Sequence, residues 1–313
     1  MDIHINNSFS IIENKKTKAI AEEIMKIIFL VCAFFAVLAV FSITIYMILN
    51  GTPAIFKIGL KEILFETQWA PTAADPKYGI LYVILTSIVG MTFAVLIGVP
   101  IGVLTAVFIA EVAPKQLAAI VKPAVELLAG IPSVIYGLLG IMILNPFMYK
   151  IEKIIFKGSS THQFTGGSNL ISAIIVLAIM ILPTVINISE SSIRAVPREM
   201  RSASLALGAS KIQTIFKVVL PVARSGIMSA IVLGVGRAIG EAMAITLVSG
   251  SSVNLPLPFN SVRFLTTAIV AEMGYAADEH RQVLFTIGLI LFFFIMVVNT
   301  VFAKLLSTNE KEK

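Results

Sequence analysis

Long apolar runs dominate this chain and leave few ways to fold it. Residues 24–49 are uncharged apart from Lys26, and comparable stretches cover 80–110, 123–144, 170–189, 218–249 and 282–306. About 20 apolar residues span the hydrocarbon core of a bilayer as a helix. Lipid offers backbone N–H and C=O groups no partner, so a lone segment of this kind must pair them within itself. Six such runs predict an all-α membrane protein with six transmembrane helices. Composition agrees: 57% of the 313 residues are hydrophobic and 13% charged, with a mean hydropathy of +0.94. Soluble domains sit near 45–50% and 25%. The first run exceeds the roughly 7–15-residue apolar core of a secretory signal, and no small-x-small cleavage site ends it. It reads as a retained span.

Six spans put both ends on one side. Lys and Arg choose the side, because cytoplasmic loops carry the excess. Fifteen fall on the side of the termini and eight on the other, with Arg237 inside a span. Both termini are therefore expected in the cytoplasm. The divisions that follow are a tail at 1–23, a first helix and external loop at 24–79, a five-helix domain at 80–306 and a tail at 307–313. In the external loop, Phe56, Leu60, Ile63 and Leu64 recur at helical spacing among Lys57, Lys61 and Glu62. This suits a short amphipathic helix at the membrane surface, with Trp69 as an interfacial anchor. Gly98, Pro100 and Gly102 interrupt the second span. Ala129, Ser133 and Gly137 lie four apart in the third and predict a narrow face for close helix contact beside Tyr136. Residues 111–122, 145–169 and 250–281 read as loops.

The stretch 197–221 carries the densest set of helix signals between two spans. Pro197 suits the first turn of a helix. Residues 198–207 follow, and Gly208 suits the left-handed position just past a helix end. Ser210 and Gln213 have the spacing of a capping box that opens a second helix. Pro221 marks a kink or restart. Helix, glycine turn and helix form a docking knob on the cytoplasmic side.

The fifth span holds Arg237 and Glu241, four residues apart, which predicts one face of one helix. A charge at mid-bilayer costs on the order of 3 kcal/mol on insertion scales. Two readings stay open. Arg237 could face a pathway for an anion, since a guanidinium grips a tetrahedral oxyanion in a bidentate way, with Glu241 holding it and limiting over-tight binding. Or the two could form a structural ion pair. Gly236 and Gly240 beside them would let a helix or a substrate approach.

Other chemistry is excluded by what the sequence lacks. There is no Walker A motif, no Gly-x-Ser-x-Gly elbow and no His-Glu-x-x-His. Gly234-x-Gly236 is no dinucleotide fingerprint, because its third glycine is missing and it lies in a span. No cofactor, metal or catalytic residue is expected. His4, His162 and His280 have no ligand spacing and read as solvated loop residues. The lone Cys32 excludes an intrachain disulfide. The net charge of +6 reflects topology-setting loops rather than nucleic-acid binding.

The knob resembles the cytoplasmic signature of ABC-importer permeases, Glu-Ala-Ala-x3-Gly-x9-Ile-x-Leu-Pro. Here it reads Ser202-Ala203-Ser204, Gly208 and Val218-x-Leu220-Pro221, with the spacing kept and the Glu replaced by Ser202. The resemblance implies a type I ABC-importer permease fold, with coupling helices at 197–216 that sit in a groove of a separate ATPase. Ser202, Ala203, Leu205, Ala206, Gly208, Ala209 and Ile212 would pack there. Leu128-Ala-Gly-Ile-Pro-Ser-Val-Ile-Tyr-Gly137, Arg194-Ala-Val-Pro-Arg-Glu199 and Gly236-Arg-Ala-Ile-Gly-Glu-Ala-Met-Ala244 look like the permeases of phosphate importers of the PstC type. That likeness implies a protein of a bacterial or archaeal cytoplasmic membrane. It implies a pair with a PstA-type permease, two PstB-type ATPases and a PstS-type phosphate-binding protein, with Arg237 and Glu241 on the phosphate route. Permeases for sulfate, molybdate or tungstate would share the fold. A non-ABC secondary transporter would need a coupling-ion site, and intramembrane carboxylates are few.

Overall fold

The computed structural model describes residues 3–310, and side chains at 18–19, 21–301 and 304. The His4 side chain and residues 311–313 of the predicted tail lie outside what is described. The chain divides into two compact units, residues 1–50 and 51–313. From Ile3 the first is one uninterrupted helix, the main part of α1 (Ile3–Ile58). Its apolar side chains are exposed from Ile24 through Leu49, which suits a helix surrounded by lipid.

The second unit is built around α7 (Leu170–Arg194), the most deeply buried span. Asn169 caps its start, accepting the Ser172 N–H at 3.1 Å. On one side α7 meets α3 (Leu81–Val107) and on another α11 (Arg224–Gly240). Gly98 and Gly102 do not interrupt α3, which runs unbroken with Pro100 inside it. They make a groove for α7. A Cβ on Gly98 would lie 2.6 Å from Ile181, and one on Gly102 would lie 2.8 Å from Val185. Small residues where two membrane helices cross let the backbones approach, and packing is the main attraction available there.

The third apolar run departs from expectation. α4 (Lys115–Gly130) stops before Pro132, because the residue preceding a proline is pushed into extended backbone, as Ile131 is (ψ 126°). α5 (Ser133–Leu139), a π-helical turn (Gly140–Leu144) and α6 (Asn145–Ile155) then form one span, Ser133–Ile155. The span thus begins ten residues later than the predicted 123–144. Residues 145–155 and most of 111–122 are helical rather than loop. Ala129 lies on α4, so it shares no helix face with Ser133 and Gly137.

The fifth run is bent rather than straight. Lys211–Val222 and Arg224–Gly240 meet at 69°, just after Pro221, and the helix unwinds at Glu241 before α12 (Met243–Val248). With α14 (Asp278–Glu310), five single helices and this bent pair make six candidate spans. α13 (Leu265–Glu272) is a short helix between them.

In the first loop, α1 continues to Ile58, Gly59 turns with φ +101°, and α2 (Leu60–Phe65) follows. Two residue pairs, Trp69–Ala70 (β1) and Lys77–Tyr78 (β2), form a short antiparallel ladder, and Gly250 and Val262 make an isolated parallel bridge, in an otherwise helical fold. Trp69 is half-buried. Its Nε1 donates to both Glu272 oxygens at 3.2 Å, and its ring packs edge-on against Tyr78 and His280. The buried carboxylate needed a donor, and the indole supplies one.

The α3–α7 groove is directly testable. Gly98→Val is expected to cost about 1–3 kcal/mol by overpacking and to lower the thermal unfolding midpoint in detergent. Gly236→Ala, where an added Cβ meets nothing within 4 Å, should leave that midpoint unchanged.

Candidate functional site

Two places gather the predicted residues: the break in the fifth span and the knob that precedes it. At the break, Glu241 has extended backbone (φ −74°, ψ 126°), so α11 cannot continue through it. The ends of both helix segments then need partners inside the bundle. Thr266 Oγ1 donates to the Glu241 carbonyl at 2.8 Å. The Glu241 carboxylate turns forward and accepts the Ala244 N–H at 3.0 Å, capping the start of α12.

Arg237 and Glu241 therefore do not form the one-face pair that their spacing predicts. That pair needs helix across residues 237–241, and the break removes it. Among the described residues, the ion pairs found all involve other groups. Arg237, half-buried, has the Thr184 hydroxyl of α7 at 3.5 Å. The Tyr136 hydroxyl donates to the Leu128 carbonyl at 2.8 Å and so ties α5 back to α4. Gly137 brings α5 against α12; a Cβ there would lie 2.9 Å from Ala244 Cα. Ser133 is half-buried at the head of α5. Gly236 and Gly240 differ: a Cβ on either meets no described residue within 4 Å.

The knob folds as its signals predict. Pro197 precedes α8 (Arg198–Ala206), Gly208 adopts φ +86°, and Ser210 and Gln213 close both bonds of a capping box at the head of α9 (Lys211–Thr214). Ser202, Ala203, Leu205, Ala206, Gly208 and Ile212 are exposed and Ala209 is half-buried. Leu207, at the tip, is 89% exposed, and sequence reasoning missed it because it falls at an unspecified position of the signature, just before Gly208. Behind the tip, Ser204 and Thr214 share a hydrogen bond of 2.9 Å, and Ile215 and Val219 enter a core with Ala106, Val107 and Ile193. Arg201 fastens the knob to the spans. It donates to Glu111 at 2.7 and 3.0 Å and to the Ile193 carbonyl at 2.8 Å, and it also bonds the Val196 carbonyl. Those carbonyls lie in the last turn of α7 and just beyond it. Nearby, the buried Glu190 is paired with Lys122 at 3.1 Å and with Arg194.

Two carboxylate clusters were not foreseen, and neither histidine in them is the solvated residue expected. Glu152, fully buried, accepts from His162 at 2.8 Å and from the Thr165 N–H at 2.9 Å, while Phe156 stacks on the imidazole. Glu272 collects Trp69, Arg263 and His280, the last at 2.7 Å. Distant sequence positions carry no signal of such pairings.

Residues 98–309 match the family described as "Binding-protein-dependent transport system inner membrane component". The chain belongs to that family. This permease is 37% identical over 297 residues to the "Probable ABC transporter permease protein YqgH" of Bacillus subtilis, covering 92% of this chain and 93% of that protein. It is 33% identical over 303 residues to the "Phosphate transport system permease protein PstC" of Xylella fastidiosa, covering 93% of each. Among solved structures it superposes on a chain of a bacterial alginate ABC transporter with a TM-score of 0.57 at 16% identity, covering 86% of this chain and 92% of that one. For an inward-facing MetNI methionine transporter the values are 0.51 and 21%, covering 74% and 94%. The permease thus has the type I ABC-importer fold and is a multi-pass inner-membrane subunit. Such subunits work with a separate ATPase and a substrate-binding protein, and the PstC-type resemblance of the three motifs agrees with these relatives.

Arg201 makes the attachment of the knob testable. Arg201→Ala would strip buried carbonyls and Glu111 of a charged donor, a loss of about 1–3 kcal/mol. Limited trypsin digestion should then cut faster at Arg198 and Lys211, while the α3–α7 bundle stays resistant.

Proposed function

We propose that this permease carries inorganic phosphate inward as the translocation subunit of an ATP-driven importer. The observation that carries the reading is Arg237: a guanidinium within a span, answered by the neutral hydroxyl of Thr184 and not by a carboxylate. It sits beside Gly236 and Gly240, where an added Cβ would meet no described residue within 4 Å, so an open side of α11 lies next to it. A desolvated cation is held at a cost of several kcal/mol unless something compensates it. A phosphate passing that open side would accept two parallel N–H bonds from it. The weak Thr184 contact competes little with that exchange. The PstC names of relatives such as that in Xylella fastidiosa support phosphate among the oxyanions.

The same reading supplies the partners and the orientation. A PstA-type permease would cover the open side of α11, and two PstB-type ATPases would seat the exposed knob, Leu205, Leu207 and Ile212 foremost. A PstS-type protein would deliver phosphate at the opposite face. Both termini and the knob then lie in the cytoplasm, as the distribution of Lys and Arg favours. Closure of the ATPases would push the knob, and rigid-body movement would open the bundle alternately to each side.

Uptake into vesicles holding the assembled importer tests this. Arg237→Ala removes a charge-assisted contact of about 1.5–3 kcal/mol, so phosphate uptake should fall about 10- to 100-fold. Unchanged uptake would sink the pathway role, and stronger competition by sulfate or molybdate than by phosphate would reassign the substrate. Deleting residues 202–212 should release the ATPase from the membrane; retained association and transport would refute docking there.

A further inference from the structure

The break in the fifth span keeps two opposite charges apart, and something must hold it. Were α11 to continue through residues 241 and 242, Glu241 would fall one turn from Arg237 on the same face. The pair would then be neutral toward an anion. The extended Glu241 instead leaves its carbonyl without a helical partner, in a region where the backbone cannot turn to water.

The Thr266 hydroxyl is the group that answers that carbonyl, at 2.8 Å. Thr266 is 8% exposed, and this is the one hydrogen bond its hydroxyl makes among the described residues. Its helix is fixed in turn. The Leu265 N–H donates to Ser87 Oγ of α3 at 2.9 Å, and Thr267 Oγ1 accepts the Phe264 N–H at 2.9 Å. At the other end, Glu272 is held by Trp69, Arg263 and His280. Arg263 also donates to the Ser251 carbonyl at 2.7 Å, just beyond α12. α13 thus grips α12 on both sides: Thr266 before it and Arg263 after it. A cavity of about 10 Å³ lies beside Glu241 and Thr266, room for about one water.

We propose that Thr266 is a positioning residue for the anion site: its hydroxyl holds the Glu241 backbone extended and so keeps the Glu241 carboxylate from neutralising Arg237. This rests on the reading that Arg237 meets the passing anion. Thr266 does not touch the anion itself. It acts through the backbone of Glu241, from a helix anchored at the opposite end of the bundle from the knob.

The test uses the assembled importer in vesicles, with phosphate uptake, ATP hydrolysis and amide hydrogen exchange over 236–248 as readouts. Thr266→Val keeps the shape and removes the donor. It should lower uptake about tenfold, preserve ATP hydrolysis and raise protection near residue 241 as the helix rewinds. Thr266→Ser should restore the parent values. In a Glu241→Gln background the valine should cost no further uptake, because an amide beside Arg237 cannot neutralise it. Normal uptake in Thr266→Val, an equal defect in Thr266→Ser, or an additive loss in the Gln background would each overturn the inference. Arg237→Ala, run alongside, separates the two ideas. If it transports normally, the pathway reading has failed; if it is defective while Thr266→Val is normal, only the positioning role has.

Discussion

Inside a bilayer every backbone polar group must find its partner in the protein, and the fifth span is where this permease departs from the simplest solution. An unbroken helix would satisfy itself. This one stops at Gly240, resumes at Met243 and needs side chains to close the gap. Thr266 and the Glu241 carboxylate supply them. The departure has an electrostatic result. Two charges whose spacing favours pairing are held unpaired, and the arginine keeps its charge available.

The remainder of the bundle provides a rigid frame for that exception. α7 is buried on several sides, and α3 approaches it through glycines that accept Ile181 and Val185. Where apolar lipid replaces water, burying apolar surface adds little attraction between helices, so fit must supply it. Side chains removed at Gly98 and Gly102 buy that fit. Gly236 and Gly240 are the same residue type put to the opposite use, since no described residue fills the space they leave. A glycine in a membrane helix therefore marks close approach, and only the fold says whether the neighbour lies in the same chain.

That distinction also separates what the sequence made legible from what it hid. Apolar length predicted the spans because lipid imposes length. The knob was readable residue by residue, since Pro197, Gly208, Ser210 and Gln213 act through local backbone chemistry. Pro132 misled: the apolar run reads through it, yet its ring straightens Ile131 and divides α4 from α5. The Arg237–Glu241 spacing misled for a related reason. It assumes helix between the two, and the hydroxyl that favours the break lies 25 positions further on. Long-range polar contacts leave no periodicity. Thr266, Trp69 with Glu272, and His162 with Glu152 were silent for that reason, and the histidines looked like ordinary loop residues.

The knob and the break are joined by one bent segment, and the bend shapes what a push can do. A straight helix from Lys211 to Gly240 would carry displacement along its axis to Arg237. The 69° angle after Pro221 turns that displacement aside. Arg201 meanwhile ties the knob to Glu111 and to the end of α7, and Ile215 and Val219 pack it against α3 and α7. Force on the knob is therefore shared with the two central helices before it reaches α11. Packed interfaces of this kind move as bodies rather than deform smoothly. The knob, α3, α7 and α11 are thereby packed together, α13 is tied to α3 through the Leu265 N–H on Ser87 Oγ, and Thr266 and Arg263 fasten α13 to the segments that flank α12.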